Sequence, residues 1–239
     1  MSRGFQTLLS YTYSKSIDDS SNFFGVREAT NAMQLPLNDN PSFNRGLSGH
    51  DIRHSLAASG IWELPWESGP GARRVLGGWQ LGTIVTYSSG LHTTPRTDYD
   101  AAGTQASGSP WRSGQRPDLA SGASNNPVTE DPGGWVDVSA FQRPEPGFLG
   151  NFGRGTIQGP DRAILDFSLV KRTRVPRLGE NTTLDFRVEF FNLFNHTNFD
   201  LPDQRRMEIF DEEGTREDVG RITSTAPGRE IQFGLKLRF

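Results

Sequence analysis

The chain has 239 residues, 33% of them hydrophobic, and a net charge of -3. Its length fits one large domain or two small ones, and its charge gives no basis for non-specific nucleic-acid binding, which needs a basic surface. No cysteine is present, which excludes a disulfide framework and any thiolate metal site.

The composition predicts a loop-rich protein without a membrane-spanning helix. The 27 glycines and 15 prolines favour many turns and long loops. No stretch approaches 18 consecutive apolar residues, the signature of a spanning helix. The opening "MSRGFQTLLSYTYSKS" lacks the apolar core and cleavage site of a signal peptide, so we expect that this sequence does not direct its own export.

Alternation of apolar and polar residues predicts about six β-strands, because successive side chains of a strand point to opposite faces. In chain order they are "GFQTLLSYTYSKS", "RHSLAASGIWELP", "GGWQLGTIVTYSSG", "AILDFSLVKRTRV", "TTLDFRVEFFN" and "REIQFGLKLRF". The last three alternate most cleanly, and the short "VPRLGEN" between the fourth and fifth predicts an antiparallel hairpin.

The connections between these strands alternate in length: long, short, long, short, long. A membrane β-barrel has short turns at one end, long loops at the other and strands of about ten residues with alternating polarity. Aromatic residues near strand ends would then lie at the membrane interfaces. The pattern therefore predicts an antiparallel transmembrane segment with short periplasmic turns and long extracellular loops, and interfacial aromatics at Trp62, Trp79 and Tyr87.

The last strand has one wholly apolar face and ends on an aromatic residue. In a barrel this apolar stripe would face lipid: Ile231, Phe233, Leu235, Leu237 and Phe239. On the opposite face, Asp185, Arg187 and Glu189 of the fifth strand could meet Lys236 and Arg238 in a polar lumen, or line a solvated sheet face. The alternative from the pattern alone is a soluble, secreted β-sandwich that uses the loop at 90–160 as a binding module.

Two long phrases, "RVEFFNLFNHTNF" (187–199) and "GRITSTAPGREIQFGLKLRF" (220–239), resemble the C-terminal end of TonB-dependent outer-membrane receptors. The similarity is to the Oar-like subgroup, whose members carry a carboxypeptidase-regulatory-like domain. Earlier phrases agree in order, among them "HDIRHSLAASGIWELP" and "GGWQLGTIVTYSSGLHTT". The resemblance implies a 22-stranded barrel with an N-terminal plug, importing a substrate with energy relayed by TonB.

The same resemblance implies that Phe239, with the apolar residues alternating before it, is the signal read by the barrel-assembly machinery. Nothing in the chain resembles the plug, the TonB-contacting segment or the earlier strands. About six strands cannot close a bacterial barrel. We therefore expect residues 1–239 to be the C-terminal part of a receptor barrel, through a fragment, an internal gene start, a remnant or a split receptor. Such a chain is not transport-competent alone, and its substrate is unknown.

No motif for catalysis, a cofactor or a metal emerges from the sequence. His50 and His54 are four residues apart but enter a predicted strand, and the remaining histidines, His92 and His196, lie apart. The acidic clusters do not match a calcium-binding loop, and no nucleophile motif is present. We expect no enzyme activity. The loop aromatics could contact a ligand, but packing within the long loops is favoured: Phe23, Phe24, Tyr99, Trp111 and Trp135.

Overall fold

The computed structural model describes residues 4–19, 21, 40–66, 73–104 and 115–239. Strands are numbered in chain order. Six long strands form the main sheet: β1 (Phe5–Tyr13), β4 (His54–Glu63), β5 (Trp79–Ser88), β11 (Arg162–Arg174), β12 (Thr183–Phe191) and β14 (Glu230–Arg238). Eight short strands lie in the connections: β2 (Ile17–Asp18), β3 (Gly46–Leu47), β6 (His92–Thr93), β7 (Arg96–Thr97), β8 (Asp118–Leu119), β9 (Phe141–Gln142), β10 (Ile157–Gln158) and β13 (Glu208–Phe210).

The six long strands pair in the order β1-β4-β5-β11-β12-β14, and every pairing is antiparallel. Because neighbours in the sheet follow one another along the chain, the connections fall alternately at its two ends. The long connections 14–53, 89–161 and 192–229 lie at one end, and the short connections 64–78 and 175–182 lie at the other. The predicted alternation of long loops and short turns is confirmed.

The register keeps the polarity of all six strands in phase. Leu9 pairs with Ala58, Ala58 with Val85, and Val85 with Leu165, so the apolar sets of neighbouring strands share one side. We call this side the apolar face; its residues include Phe5, Leu9, Tyr11, Leu56, Ala58, Trp62, Trp79, Leu81, Val85, Tyr87, Leu165, Phe167, Leu169, Leu184, Phe186, Val188, Phe190, Ile231, Phe233, Leu235 and Leu237. Lys171, which pairs with Trp79 and Phe186, lies on this face as well.

The opposite side of the sheet, the polar face, is rich in charged and small polar residues. The predicted neighbours on β12 and β14 share it, since Asp185 pairs with Lys236 and Glu189 with Gln232. Its polar and charged members are Gln6, Ser10, Thr12, Ser55, Ser59, Glu63, Gln80, Thr86, Ser88, Arg162, Asp166, Ser168, Arg172, Arg174, Asp185, Arg187, Glu189, Gln232, Lys236 and Arg238. The same face also carries some apolar residues, which are Leu8, Ile61, Ile84, Ile164, Val170 and Phe191. One large sheet with two faces of opposite character is the predicted antiparallel barrel segment.

The sheet is open. β1 pairs only with β4, and β14 pairs only with β12, so the described residues contain no strand that occupies either outer edge. All nine residues of β1 are exposed. The soluble sandwich alternative needs a second large sheet packed on the first, but the other sheets of the described residues have two strands each. The structure therefore contradicts that alternative.

The connection 64–78 contains a one-turn helix, α1 (Arg73–Leu76), that the sequence patterns did not predict. Short 3-10 turns occupy Pro41–Asn44, Val138–Ala140, Pro176–Leu178 and Gln204–Met207. Within the described ranges, no helix has the length and apolar character needed to cross a membrane.

The long connections pack together into a compact unit, here called the loop cap, at one end of the sheet. Its buried apolar core draws on the second and third long connections: Trp135, Val136, Ala140, Phe141, Phe152, Ile157, Met207, Ile209, Phe210 and Val219. Phe141 meets Phe152 edge to face, with ring centroids 4.9 Å apart. This cluster, and not the sheet, is the hydrophobic core of the described residues.

The open edges and the uncovered apolar face predict how the purified chain behaves in water. Unpaired strand edges and large apolar patches promote association, so we expect aggregation in plain buffer and a β-rich, monodisperse species only in detergent. Size-exclusion chromatography with circular dichroism checks this. A cooperatively unfolding monomer without detergent would contradict it.

Candidate functional site: the polar face and the loop cap

Ion pairs connect three neighbouring strands across the polar face. Asp185 of β12 lies between Arg172 of β11, with Nε 3.1 Å from Oδ1, and Arg238 of β14, with Nη2 2.9 Å from Oδ2. The Asp185 side chain is only 8% exposed. A second pair joins Arg187 to Glu189 within β12 at 3.3 Å. Opposite charges paired across strands, as around Asp185, stabilise a sheet face, and such a charged surface is typical of a barrel lumen.

Where the polar face meets the loop cap, there is a cleft of about 420 Å³. Arg162, on the polar face, forms an ion pair with Asp200 of the third long connection at 2.5 Å. The remaining wall is mostly apolar and comes from the end of β5 and from all three long connections: Ile52, Ser88, Ser89, Gly90, Leu91, Pro160, Phe199, Leu201, Pro202, Asp203 and Ser224. The cleft therefore lies where the polar face ends, on the side of the long connections.

A buried arginine, Arg154, fastens the first long connection to the second. Its guanidinium donates to the backbone oxygens of Asp18 and Asn44, at 2.7 and 3.3 Å. It also reaches the Asp18 carboxylate and the Ser21 hydroxyl, both at 2.5 Å. Arg154 is only 3% exposed. The several N–H donors of its guanidinium thus bind two separate parts of the first connection, one with Asp18 and Ser21 and the other with Asn44.

A second buried arginine, Arg116, binds the same connection at Phe43. It donates through Nη2 to the Phe43 backbone oxygen at 2.9 Å and through Nε to the Phe152 oxygen at 2.7 Å. Its guanidinium also lies 4.1 Å from the centroid of the Phe43 ring, a favourable cation–π contact. We call Arg116 and Arg154, with the groups that they hold, the arginine clasp.

The charges in the cap shift the pKa values of several groups. Burial lowers the pKa of Arg96 to about 10, with a further lowering from Arg154 that Glu208 opposes. Burial and the charges of Arg154 and Arg96 also lower the pKa of Arg116 to about 10. Both arginines therefore stay charged at neutral pH.

For Asp18, burial alone would raise the pKa, but hydrogen bonds from Arg154, Ser48 and Ser21 and the charge of Arg154 outweigh burial and lower it. Burial and the nearby Asp98 raise the pKa of Glu208, against the influence of Arg216 and Arg96. The clasp is thus an ionic contact at neutral pH, while Glu208 holds its proton to a higher pH than an exposed glutamate does.

The predicted interfacial aromatics lie on the apolar face at both of its ends. Trp62 and Trp79 are at the short-turn end and Tyr87 at the long-loop end. The Tyr87 hydroxyl donates to Asp161 at 2.7 Å. This placement, with a ring at each edge of an apolar band, is that of aromatic girdles. Their contact with lipid stays a prediction.

The predicted lipid-facing stripe of β14 is highly exposed, and Phe239 is 87% exposed. The stripe lies on the apolar face, next to the apolar residues of the neighbouring strand β12. Phe233 pairs with Val188, and Leu235 pairs with Phe186. The structure thus leaves this stripe free to meet lipid. The role of Phe239 as an assembly signal stays a prediction.

Two of the loop aromatics pack inside the cap. Trp135 is buried in the core and donates its indole N–H to the Gln158 oxygen at 2.9 Å, and Tyr99 packs against the same core. Phe23, Phe24 and Trp111 lie outside the described residues. For Tyr99 and Trp135, loop packing is the observed role.

The histidines are dispersed. His54 begins β4, with Nδ1 2.8 Å from the Tyr11 hydroxyl, and His50 lies in a turn before it. His92 is buried with Nε2 3.4 Å from Asp51, and burial lowers its pKa. His196 donates its backbone N–H to the Asn192 side chain. Across the described ranges, no three histidine, aspartate or glutamate side chains converge in a way that could hold a metal.

Sequence reasoning missed the arginine clasp. Arg116 lies in "GQRPD" and Arg154 in "FGRGT". Neither stretch has a periodic pattern of apolar residues, so the sequence gives no means to predict that these arginines are buried. The available signal was indirect: a single arginine amid glycine and aromatic residues in a long loop that needs internal packing.

A comparison with protein families agrees with the observed fold. The family described as "Outer membrane beta barrel domain" matches residues 1–232. The chain belongs to this outer membrane β-barrel family. Its members are located in the bacterial outer membrane, and we place this outer membrane β-barrel protein there as well. No curated protein matches the chain significantly, and no solved structure does.

Substitution of Arg154 tests whether the arginine clasp stabilises the packing of the first long connection. Because its removal leaves the Asp18 carboxylate and the Asn44 carbonyl without their donor, we expect Arg154→Met to destabilise the cap by about 1–3 kcal/mol, the cost of leaving such groups unsatisfied. Hydrogen exchange measured by mass spectrometry over residues 40–53 checks this. Arg162→Gln, which breaks a half-exposed pair, is the control and should cost under about 1 kcal/mol. Equal effects of the two variants would contradict a clasp.

The clasp should also be sensitive to acid. A carboxyl group with a lowered pKa stabilises the fold above its unfolded pKa, and this contribution is lost as the pH falls through the folded value. Protection of residues 40–53 should therefore persist above about pH 4 and fall below it, after correction for intrinsic exchange rates. In Asp18→Asn this acid-dependent loss should be smaller, and an unchanged loss would refute the assignment.

Proposed function

We propose that this chain is the C-terminal barrel portion of a TonB-dependent transporter of the outer membrane. The observation that carries the proposal is a sheet with an apolar and a polar face whose edge strands, β1 and β14, have no outer partner within the described ranges. An unpaired edge in hydrocarbon leaves backbone groups unsatisfied at a cost of several kcal/mol each. Further strands must therefore complete the barrel in the membrane.

Transport, rather than a purely structural role, is supported by the polar side of the sheet. The ion pairs around Asp185 make a hydrophilic wall, and the cleft beside Arg162 and Asp200 opens at its long-loop end. In this proposal the loop cap lies outside the cell and meets the ligand first. The ligand then enters the lumen past the cleft, and no residue of the chain performs chemistry on it.

The partners follow from the same proposal. Outer-membrane lipid contacts the apolar face, and the barrel-assembly machinery reads β14 and Phe239. TonB acts only through an N-terminal part that precedes this portion, and nucleic acid is not a partner.

The proposal predicts the size of the polypeptide that carries this sequence in native outer membranes. The chain has a mass of 26.5 kDa, whereas a barrel of 22 strands with a plug needs several times that mass. An antibody against the loop cap should therefore detect a much larger band, and that band should cross-link to TonB. A folded band at 26.5 kDa that does not cross-link to TonB would refute the proposal.

The assembly role of Phe239 can be tested in the protein that carries the chain. Phe239→Ser should lower the amount of folded barrel in isolated outer membranes several-fold, because it removes the terminal aromatic residue. Folded protein is measured by its heat-modifiable migration. Lys236→Gln, on the polar face of the same strand, is the control and should leave assembly unchanged. Normal folded levels of Phe239→Ser would refute an assembly signal.

A further inference from the structure

Residues 75–77, just before β5 at the short-turn end, lie against the apolar face. The Trp79 indole, which belongs to that face, donates its N–H to the Val75 backbone oxygen at 2.8 Å. Lys171, paired with Trp79 across β5 and β11, donates through its ammonium to the Gly77 oxygen. Two side chains of the apolar face therefore hold the backbone of residues 75–77 beside it.

This segment presents apolar side chains to the surroundings. Val75 is 68% exposed and Leu76 is 56% exposed. These exposed side chains extend the apolar face past the first residue of β5, since Trp79, which begins that strand, bonds directly to Val75. An apolar surface continuous with a membrane-facing band is expected to meet the same solvent, which is the bilayer.

Positive charge lies at the same place. Among the described residues, Lys171 is the one lysine, arginine or acidic residue on the apolar face. Its ammonium is 5.3 Å from the centroid of the Trp79 ring. A lysine among interfacial aromatics typically extends its charged end to the headgroup level. The Lys171 ammonium therefore supplies a positive charge that matches a phosphate headgroup.

We propose that Val75, Leu76, Trp79 and Lys171 form a phospholipid-binding patch at the short-turn edge of the membrane. Val75 and Leu76 enter the bilayer just below the headgroups, and the Lys171 ammonium lies beside a lipid phosphate. The connection thereby fixes how deeply the sheet sits in the bilayer. This inference rests on the outer-membrane placement of the family and not on TonB-dependent transport.

The absence of native cysteines allows single-cysteine labelling in isolated outer membranes. The variants Val75→Cys, Leu9→Cys and Phe148→Cys each carry an environment-sensitive fluorophore. Leu9 is mid-height on the apolar face, and Phe148 is 64% exposed in the loop cap. Quenching is compared for aqueous iodide and for phospholipids with spin labels placed near the headgroup or deep in the acyl chain.

The label at Val75 should be quenched most by headgroup-proximal lipid labels and shielded from iodide. The label at Leu9 should respond to deep acyl labels, and the label at Phe148 should respond to iodide. If Val75 is as open to iodide as Phe148 while Leu9 is in lipid, the patch is refuted and the membrane placement stands. If Leu9 is also open to iodide, both are refuted.

The lysine is tested through lipid preference in bilayers of defined composition. In the Val75→Cys background, quenching by spin-labelled phosphatidylglycerol is compared with that by the phosphatidylcholine analogue. One basic residue near the surface corresponds to about a fivefold preference, which Lys171→Gln should abolish. Arg174→Gln, on the polar face of the same strand, is the control and should keep the preference. Equal preference in Lys171→Gln and the unaltered chain would overturn the role of the lysine.

Discussion

The cross-strand register of the six-stranded sheet is the constraint on which the rest of the molecule depends. Side chains alternate between faces with a period of two, so a slip of one residue in any pairing would move a whole apolar set to the opposite face. The pairings from Leu9 through Ala58 and Val85 to Leu165 keep those sets together. One side of the sheet can therefore meet hydrocarbon while the other holds ion pairs.

The proposal that further strands complete the barrel rests on the two outer edges of the sheet. In water, an exposed edge costs little because water bonds the free backbone groups, but in hydrocarbon no such partner exists. β1 and β14 each leave one row of groups unpaired along a nine-residue strand. Closure of a barrel removes both edges at once.

The long connections are held together in the loop cap by contacts of their own and not by the main sheet. Trp135, Phe152 and Met207 give it an apolar core, while Arg116 and Arg154 fasten the first connection through backbone oxygens and the Asp18 carboxylate. A buried arginine is costly unless its donors are used. Because Arg116 and Arg154 each bond to several groups from separate parts of the chain, they favour one particular packing of the connections.

The strands could be predicted from the sequence because alternation is a local property. The predicted β14 stripe and the hairpin around "VPRLGEN" match the observed β14 and β11–β12 pairing. The clasp and the position of residues 75–77 could not be predicted, since both depend on contacts between distant segments, such as Arg154 with Asp18 and Lys171 with Gly77. Within a strand, the character of a single residue does not always predict its face, as Ile84 shows. It is apolar, yet its pairing with Asp166 places it on the polar face.

The most direct test is a scan of single spin-labelled cysteines along residues 81–86 of β5 in outer membranes, with accessibility to oxygen measured against a water-soluble nickel reagent. The account predicts a period of two, with Leu81, Thr83 and Val85 in lipid and Gly82, Ile84 and Thr86 in water. An absence of alternation, or Ile84 in lipid with Val85 in water, would contradict a membrane sheet with this register.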